Sequence, residues 1–461
     1  MLLPWCCRSK SAVAAYAICL RRGCPPRWRR RSGAKKNRAT SVAPGQLRGA
    51  VRAPAAKSEA HRVLICAALA DAPTEILLGD SCADTEATLT CLRAFAADIS
   101  VEQPGRYRVR PFGSVRRPDI PLVLNCRESG ATLRFLLPLA AVLNVRAQFE
   151  GGTSLGLRPL SHLTAQLTAH GAELSGDKLP LSLDGGELRG GVYLVPGDIS
   201  SQYISGLLLA LPLLRQDSEV ILTTPLQSAV YVSMTMAVQA RFGVTIVPTE
   251  QGYEIKGGQR YHSPGQIAVS GDWSGAAFFL TAAALGGKIS VSGLDADACQ
   301  GDKAILAMLL AMGAGVRVAG GIVEVERGML TAVEADMGDM PDLLPPLAIA
   351  AAGAAGTSLF YHAARLRYKE SDRITAVAEL IMALGGKVRE YADALEVFGQ
   401  PGGLRGGGVD SRGDHRLVMA AAIASAISTG TIVISQGEAV TKSYPKFWND
   451  FSAAGGKYHV L

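Results

Sequence analysis

Small polar groups stand immediately ahead of long apolar runs at six places in this chain. The openings are Lys57-Ser58, Ser129-Gly130, Ser200-Ser201, Trp273-Ser274, Pro341-Asp342 and Asp414-His415. Three of them have basic side chains at or near them: Lys57 with Arg62, Arg134, and Arg416. Runs such as Leu207 to Leu214 or Ala420 to Ile427 are apolar nearly all round, so as helices they must be buried. The polar opening is then the N-terminus, where free N–H groups and the helix dipole favour anions. Each Ser or Asp taken alone reads as a plain N-cap, and it is the basic residues at three of the openings that shift the balance toward anion binding. Several such ends turned toward one cleft, with their cations, would bind a multiply charged anion. No group of His, Cys and carboxylates has metal-ligand spacing, so no metal is expected.

The elements that must hold these ends in place repeat. An amphipathic helix closes on a glycine and a strand follows at His170-Gly171-Ala172, Phe242-Gly243-Val244, Met312-Gly313-Ala314, Leu384-Gly385-Gly386 and Ala454-Gly455-Gly456. A degenerate first copy, Phe95-Ala96-Ala97, has alanine at the glycine position, and the successive spacings are 75, 72, 70, 72 and 70 residues. Glycine suits a helix C-terminus because the left-handed conformation costs it little. A near-fixed period implies six copies of one unit: strand, buried helix, strand, amphipathic helix, strands.

A chain of 461 residues, 48% hydrophobic and 19% charged, can bury a large interior and suits two domains. The net charge of +7 is concentrated at one end. Residues 1–40 hold eleven Lys or Arg and no acid, which leaves the rest mildly acidic and gives no case for nucleic-acid binding. This tail reads as a disordered leader without function. An organellar transit peptide or a misplaced start codon are the alternatives. A secretory signal fits less well, because the apolar stretch Ser11 to Leu20 runs into Arg21 and Arg22. No run reaches the ~18 apolar residues that span a bilayer. The scattered cysteines at 66, 82, 91, 126 and 299 read as reduced thiols in the cytoplasm.

In register with the repeat, a set of short strings resembles the 3-phosphoshikimate 1-carboxyvinyltransferase (EPSP synthase) family over residues 41–461. The strings are Pro54 to Ser58 with His61-Arg62, Glu128 to Arg134, Arg158-Pro159, Ser200-Ser201-Gln202, Ser228 to Tyr231, Asp342, Arg367 to Arg373, Asp414-His415-Arg416 and Lys442 to Pro445. The resemblance implies an α/β fold of two similar domains, each an inside-out barrel of three units around buried parallel helices. With the leader at 1–40 outside the match, it implies one domain from 41–55 plus 271–461, another from 56–270, and substrate between them.

The implied reaction moves the enolpyruvyl group of phosphoenolpyruvate to the 5-hydroxyl of shikimate 3-phosphate, on the way to chorismate and the aromatic amino acids. The resemblance places Lys57, Ser58, Arg62, Ser200, Ser201, Gln202, Ser228, Asp342, Arg365 and Lys369 around shikimate 3-phosphate. Around phosphoenolpyruvate it places Lys57, Gly130, Arg158, Gln202, Arg373, Arg416 and Lys442. Asp342 is the implied base and Glu370 the implied acid, with Lys57 and Lys442 as competing proton donors. No cofactor, nucleic acid or membrane is implied, and the expected state is a cytoplasmic monomer.

Three positions depart from the family pattern. Glu128 and Arg365 stand where many members have Asn, and Ala131 where many have Thr. Two other readings stay open. Gly151 to Pro159 resembles a loop of the related UDP-N-acetylglucosamine enolpyruvyl transferase, with Thr153 in place of its usual cysteine. The departures also fit a non-catalytic anion-binding relative.

Overall fold

In a computed structural model of the chain, residues 38–112 and 120–461 are described. Six buried helices begin at or beside the polar openings: α1 (Lys57–Leu69), α2 (Gly130–Val142), α3 (Ser201–Ala210), α4 (Trp273–Gly286), α5 (Leu344–Ala352) and α6 (His415–Ile423). Every residue of α4, α5 and α6 is buried, as all-round apolar sequences require. Ser129, Ser200, Asp272 and Asp414 cap the backbones of α2, α3, α4 and α6 with their side chains. The Pro341-Asp342 opening differs. It forms a 3-10 turn, Pro341–Leu343, ahead of α5, and Asp342 caps nothing, because two successive prolines at 345 and 346 occupy the first helical turn.

Each helix belongs to one of six four-stranded sheets. The strands flanking α2, α3, α5 and α6 pair in parallel, as Leu122–Asn125 does with Ala147–Glu150 across α2, because a parallel pair needs a long crossover and the helix supplies it; the strands that flank α1 and α4 exchange partners instead. The later strands of each unit add antiparallel. The turn that ends each amphipathic helix is left-handed in all six copies. Gly171, Gly243, Gly313, Gly385 and Gly455 have φ between +78° and +108°, and Ala96 has φ +72° in the degenerate copy.

Three sheets take a strand from a distant part of the chain. Thr40–Val42 lies between Ile432–Ile434 and Tyr458–Val460. Arg48–Arg52 pairs with Lys288–Ser292, and Gln266–Ala268 pairs with Thr74–Leu77. The side chains form two apolar cores. One draws on Val42 to Ala53 and Trp273 to Ala454, the other on Ala60 to Ile267. The two segments that pass between them run side by side: Ala56 N–H donates to Ser270 O at 2.8 Å, and Asp272 N–H to Pro54 O at 2.7 Å.

The leader expected at 1–40 lies outside the described residues up to 37, and its boundary is corrected at its end. Thr40 is buried and paired on both sides, Ala39 O accepts from Leu461 N–H, and Arg38 O accepts from Gly437 N–H. A three-residue strand beside a basic run leaves no periodic signal to find. Among the described residues no helix is long and apolar enough to cross a membrane, and no three His, Cys, Asp or Glu gather as a metal site. The five described cysteines are all free.

Candidate active site

The polar helix ends converge. Lys57, Ser58, Gly130, Ser201, Ser274, Asp342, His415 and Arg416 line one cleft of about 1140 Å³, its open mouth included. The side contributed by α1, α2 and α3 is built around arginines. Arg62, one turn into α1, is 2% exposed, and its N–H groups donate to Thr235 Oγ1, Ser58 O, Ser205 Oγ and Tyr231 O. Arg134, one turn into α2, donates to Gln202 Oε1 at 2.7 Å and to Pro159 O at 3.2 Å. Arg158 follows a short helix, Thr153–Gly156, and its Nε and Nη2 are buried without a hydrogen-bond partner. A Cβ on Gly130 would stand 3.2 Å from Arg158 Nη1 and 3.3 Å from Arg134 Nη1, so glycine leaves the space in front of both guanidiniums open.

The opposite side is a chain of ion pairs. Arg373 donates to Asp342 Oδ1 at 2.6 Å, Glu370 Oε2 at 2.7 Å and Asp414 Oδ2 at 2.9 Å. Arg416 donates to Asp342 Oδ2 at 2.7 Å and keeps a buried, unpartnered Nε. Lys442 donates to Glu128 O at 2.8 Å and lies 3.6 Å from Glu370 Oε1. Arg365 donates to Ser228 Oγ and to Gly338 O, which ties the two sides together.

Eight cationic side chains and four carboxylates line the cleft, so it carries an excess of positive charge among the described residues. Burial would raise the Asp342 carboxyl, but Arg416, Lys369 and Arg373 override it and hold the group far below the usual carboxylate range. Glu370 follows the same pattern, with Arg158, Arg373 and Lys442 overriding burial. Both carboxyls are therefore held ionised by these cations. Burial would lower Lys57, yet Asp84 and Glu370 hold its proton more tightly than usual. Burial brings Lys369 down to about 8, with Asp342 opposing. His415 is held neutral by burial, then by Lys57 and Arg416, and neither ring nitrogen has a hydrogen-bond partner.

Of the expected site residues, Lys57, Ser58, Arg62, Gly130, Arg158, Ser200, Ser201, Gln202, Ser228, Asp342, Arg365, Lys369, Glu370, Arg373 and Arg416 line the cleft together. Lys442 stands behind Glu370 rather than on the wall. Glu128 does not face the cleft as a free acid. Its carboxylate accepts the N–H groups of Ser154 and Leu155, at 3.4 and 2.8 Å, and so caps the short helix that leads to Arg158. Thr153 is exposed and is not part of the wall. Asp84, which pairs with Lys57 at 3.0 Å, was missed. Its only local signal is an acid in the first turn of a helix, Ala83–Ala94, which reads as ordinary helix chemistry.

A family model described as EPSP synthase (3-phosphoshikimate 1-carboxyvinyltransferase) matches residues 42–451. A relative of that enzyme name from Methanocorpusculum labreanum is 38% identical over 421 residues, covering 90% of this chain and 98% of the relative. One from Clostridium kluyveri is 39% identical over 426 residues, covering 90% and 97%. The solved EPSP synthase of Acinetobacter baumannii superposes with a TM-score of 0.78 at 26% identity, over 92% of this chain and all of that one. The enolpyruvyl transferase NikO of Streptomyces tendae, at 18% identity and a TM-score of 0.73 over 92% and 99%, shares the fold.

Proposed function

Because the chain belongs to the EPSP synthase family, we propose that its cleft transfers the enolpyruvyl group of phosphoenolpyruvate to the 5-hydroxyl of shikimate 3-phosphate, releasing phosphate. This is the shikimate-pathway step toward chorismate and the aromatic amino acids. The observation that carries the reading is the gathering of buried cations at one place. Two substrates bearing phosphates and carboxylates need the charge that eight cations against four carboxylates leave over.

Shikimate 3-phosphate is held by Ser58, Arg62, Ser200, Ser201, Gln202, Ser228, Arg365 and Lys369. Arg62 acts mainly by fixing its neighbours, since protein oxygens already take its N–H groups. Phosphoenolpyruvate is held by Lys57, Gly130, Arg158, Gln202, Arg373, Arg416 and Lys442. The unpartnered N–H groups of Arg158 and Arg416 support that placement. Asp342 is ionised and takes the proton of the 5-hydroxyl. An anionic donor that shares Arg373 and Arg416 weakens their hold on Asp342 and raises its affinity for that proton.

The same exchange acts on Glu370, whose partners Arg158, Arg373 and Lys442 are all donor-side groups. Glu370 then takes up a proton and delivers it to the methylene carbon as the 5-oxygen adds to the neighbouring carbon; loss of a proton from the resulting methyl group, as the C–O bond to phosphate breaks, restores the enolpyruvyl group. Lys57, firmly protonated beside Asp84, is the competing donor.

Two domains of three units each, inside-out barrels over residues 41–55 with 271–461 and over 56–270, fit the two separate apolar cores and the paired crossings. A monomer suits a cleft completed within one chain, and free thiols suit the cytoplasm. Calorimetry tests the binding half of the proposal. Shikimate 3-phosphate should bind the empty protein and tighten the binding of a phosphoenolpyruvate analogue. An analogue affinity unchanged by shikimate 3-phosphate would count against a shared cleft.

A further inference from the structure

Behind the cleft wall, the turn Gly301–Ala304 brings Asp302 against the N-terminus of α4. Asp302 is 2% exposed. Its Oδ2 accepts from the Ser274 hydroxyl when the carboxyl is ionised, and its Oδ1 is buried without a hydrogen-bond partner. The Ser274 backbone N–H is already taken by Asp272 Oδ1 at 3.0 Å, and Ser274 itself lines the cleft. The Ser274 hydroxyl therefore stands between a buried carboxyl and the substrate space.

Asp342 has a guanidinium on each oxygen. Asp302 has a serine on one and nothing on the other. A buried carboxylate without a cation is costly, and protonation removes the cost. The groups that act on Asp302 are the carboxylates of Asp342 and Asp272, the guanidiniums of Arg416 and Arg365, and the Tyr231 hydroxyl. Burial and then Asp342 push its carboxyl up to about 7, against Arg416.

We propose that Asp302 is a positioning residue that works as a neutral acid: it donates its proton to Ser274 Oγ and so turns the serine hydroxyl hydrogen into the cleft, toward an oxygen of the acceptor substrate. This rests on the reading of the cleft as the shikimate 3-phosphate site. An ionised Asp302 does the reverse. It takes the hydrogen of Ser274 for itself and adds a negative charge beside Asp342. Acceptor binding then weakens as the pH rises through the range in which Asp302 loses its proton. Lys369, held near 8, adds a weakening at higher pH that Asp302 variants keep.

The test is calorimetry with shikimate 3-phosphate from pH 6 to 9, with turnover of the parent chain as the control for the reading of the site. Asp302→Asn can donate as the neutral acid does but cannot ionise. Between pH 6 and 8 the parent should lose about tenfold more affinity than Asp302→Asn does. At pH 6, Asp302→Ala should weaken binding about tenfold in the parent and less than about twofold on a Ser274→Ala background, because it acts through that hydroxyl. Parallel pH curves for the parent and Asp302→Asn overturn the proposal, as do additive losses in the Ser274→Ala background.

If the Asp302 variants do not fold, infrared spectroscopy of the parent decides. A protonated-carboxyl band should be present at pH 6, fade with a midpoint near 7 and shift in Ser274→Ala; its absence at pH 6 overturns the proposal. A parent chain that neither binds shikimate 3-phosphate nor turns over sinks the site reading and Asp302 with it. A parent that turns over while the two pH curves stay parallel sinks Asp302 alone.

Discussion

Asp342 takes a hydrogen bond from Arg373 on one oxygen and from Arg416 on the other, and its backbone lies in a tight turn at the foot of α5. A carboxylate so held can accept a proton once an anion competes for its partners. Asp342→Asn keeps the shape but cannot accept that proton. Turnover should fall about a hundredfold or more, with much smaller changes in substrate binding, as steady-state and calorimetric measurements together would register. Near-normal turnover would make Asp342 a binding group only.

Arg158 has buried N–H groups to offer and only a long contact to Glu370, 3.6 Å from Nη2 to Oε1. A hydrogen bond to a charged group contributes about 1.5–3 kcal/mol, so Arg158→Ala should raise the Michaelis constant for phosphoenolpyruvate roughly tenfold to a hundredfold. The constant for shikimate 3-phosphate should move far less, and Arg158→Lys should recover only part of the loss because it lacks the planar fork. A normal donor constant in both variants would remove Arg158 from the site. The identities of these charged groups are legible in the sequence because each sits in a contiguous string. Their partners are not. Nothing near Lys57 points to Asp84, 27 residues on, and nothing near Glu128 says that its carboxylate turns away to cap another helix.

Among the elements, the left-handed turn after each amphipathic helix shows the repeat most plainly. Five copies place glycine there, and the sixth forces Ala96 into the same conformation at φ +72°. That conformation costs an L-residue about 1–2 kcal/mol, and part of it is offset because glycine has more freedom to lose on folding. Ala96 is exposed, so no packing is lost with its methyl. Ala96→Gly should therefore stabilise the protein by about 0.5–1 kcal/mol, read as a higher urea midpoint at unchanged slope.

Gly171 sets the contrast: a Cβ there would stand 2.5 Å from Glu187 O, and Gly171→Ala should destabilise. A lower midpoint for Ala96→Gly would mean that the turn is held by something other than its own backbone preference. Helix positions and the period are legible because burial on all sides and a fixed glycine register leave few other readings. The 3-10 turn at Pro341–Leu343 is not, since a proline at a helix start is also ordinary.

At the scale of the whole molecule, two short segments at 54–56 and 270–272 hydrogen-bond to each other and connect two apolar cores. Strands from residues 40–52 complete sheets whose other strands lie more than 230 residues away in sequence. Periodicity marks neither pairing, because strand partners leave none; only the family resemblance implies that residues 41–55 join 271–461 and that the chain crosses near 55 and 270. The cleft draws its cations from segments of both cores, so its excess of positive charge exists only when both are folded and joined.

What that cleft does with two anions decides whether it is an enolpyruvyl transferase. The direct measurement is product analysis by mass spectrometry and phosphate release with the purified chain. Supplied with shikimate 3-phosphate and phosphoenolpyruvate, the protein should form 5-enolpyruvylshikimate 3-phosphate and release one phosphate for each product formed. With UDP-N-acetylglucosamine as acceptor it should release none. Folded protein that binds both anions yet forms no product, or that prefers the sugar nucleotide, would contradict the account.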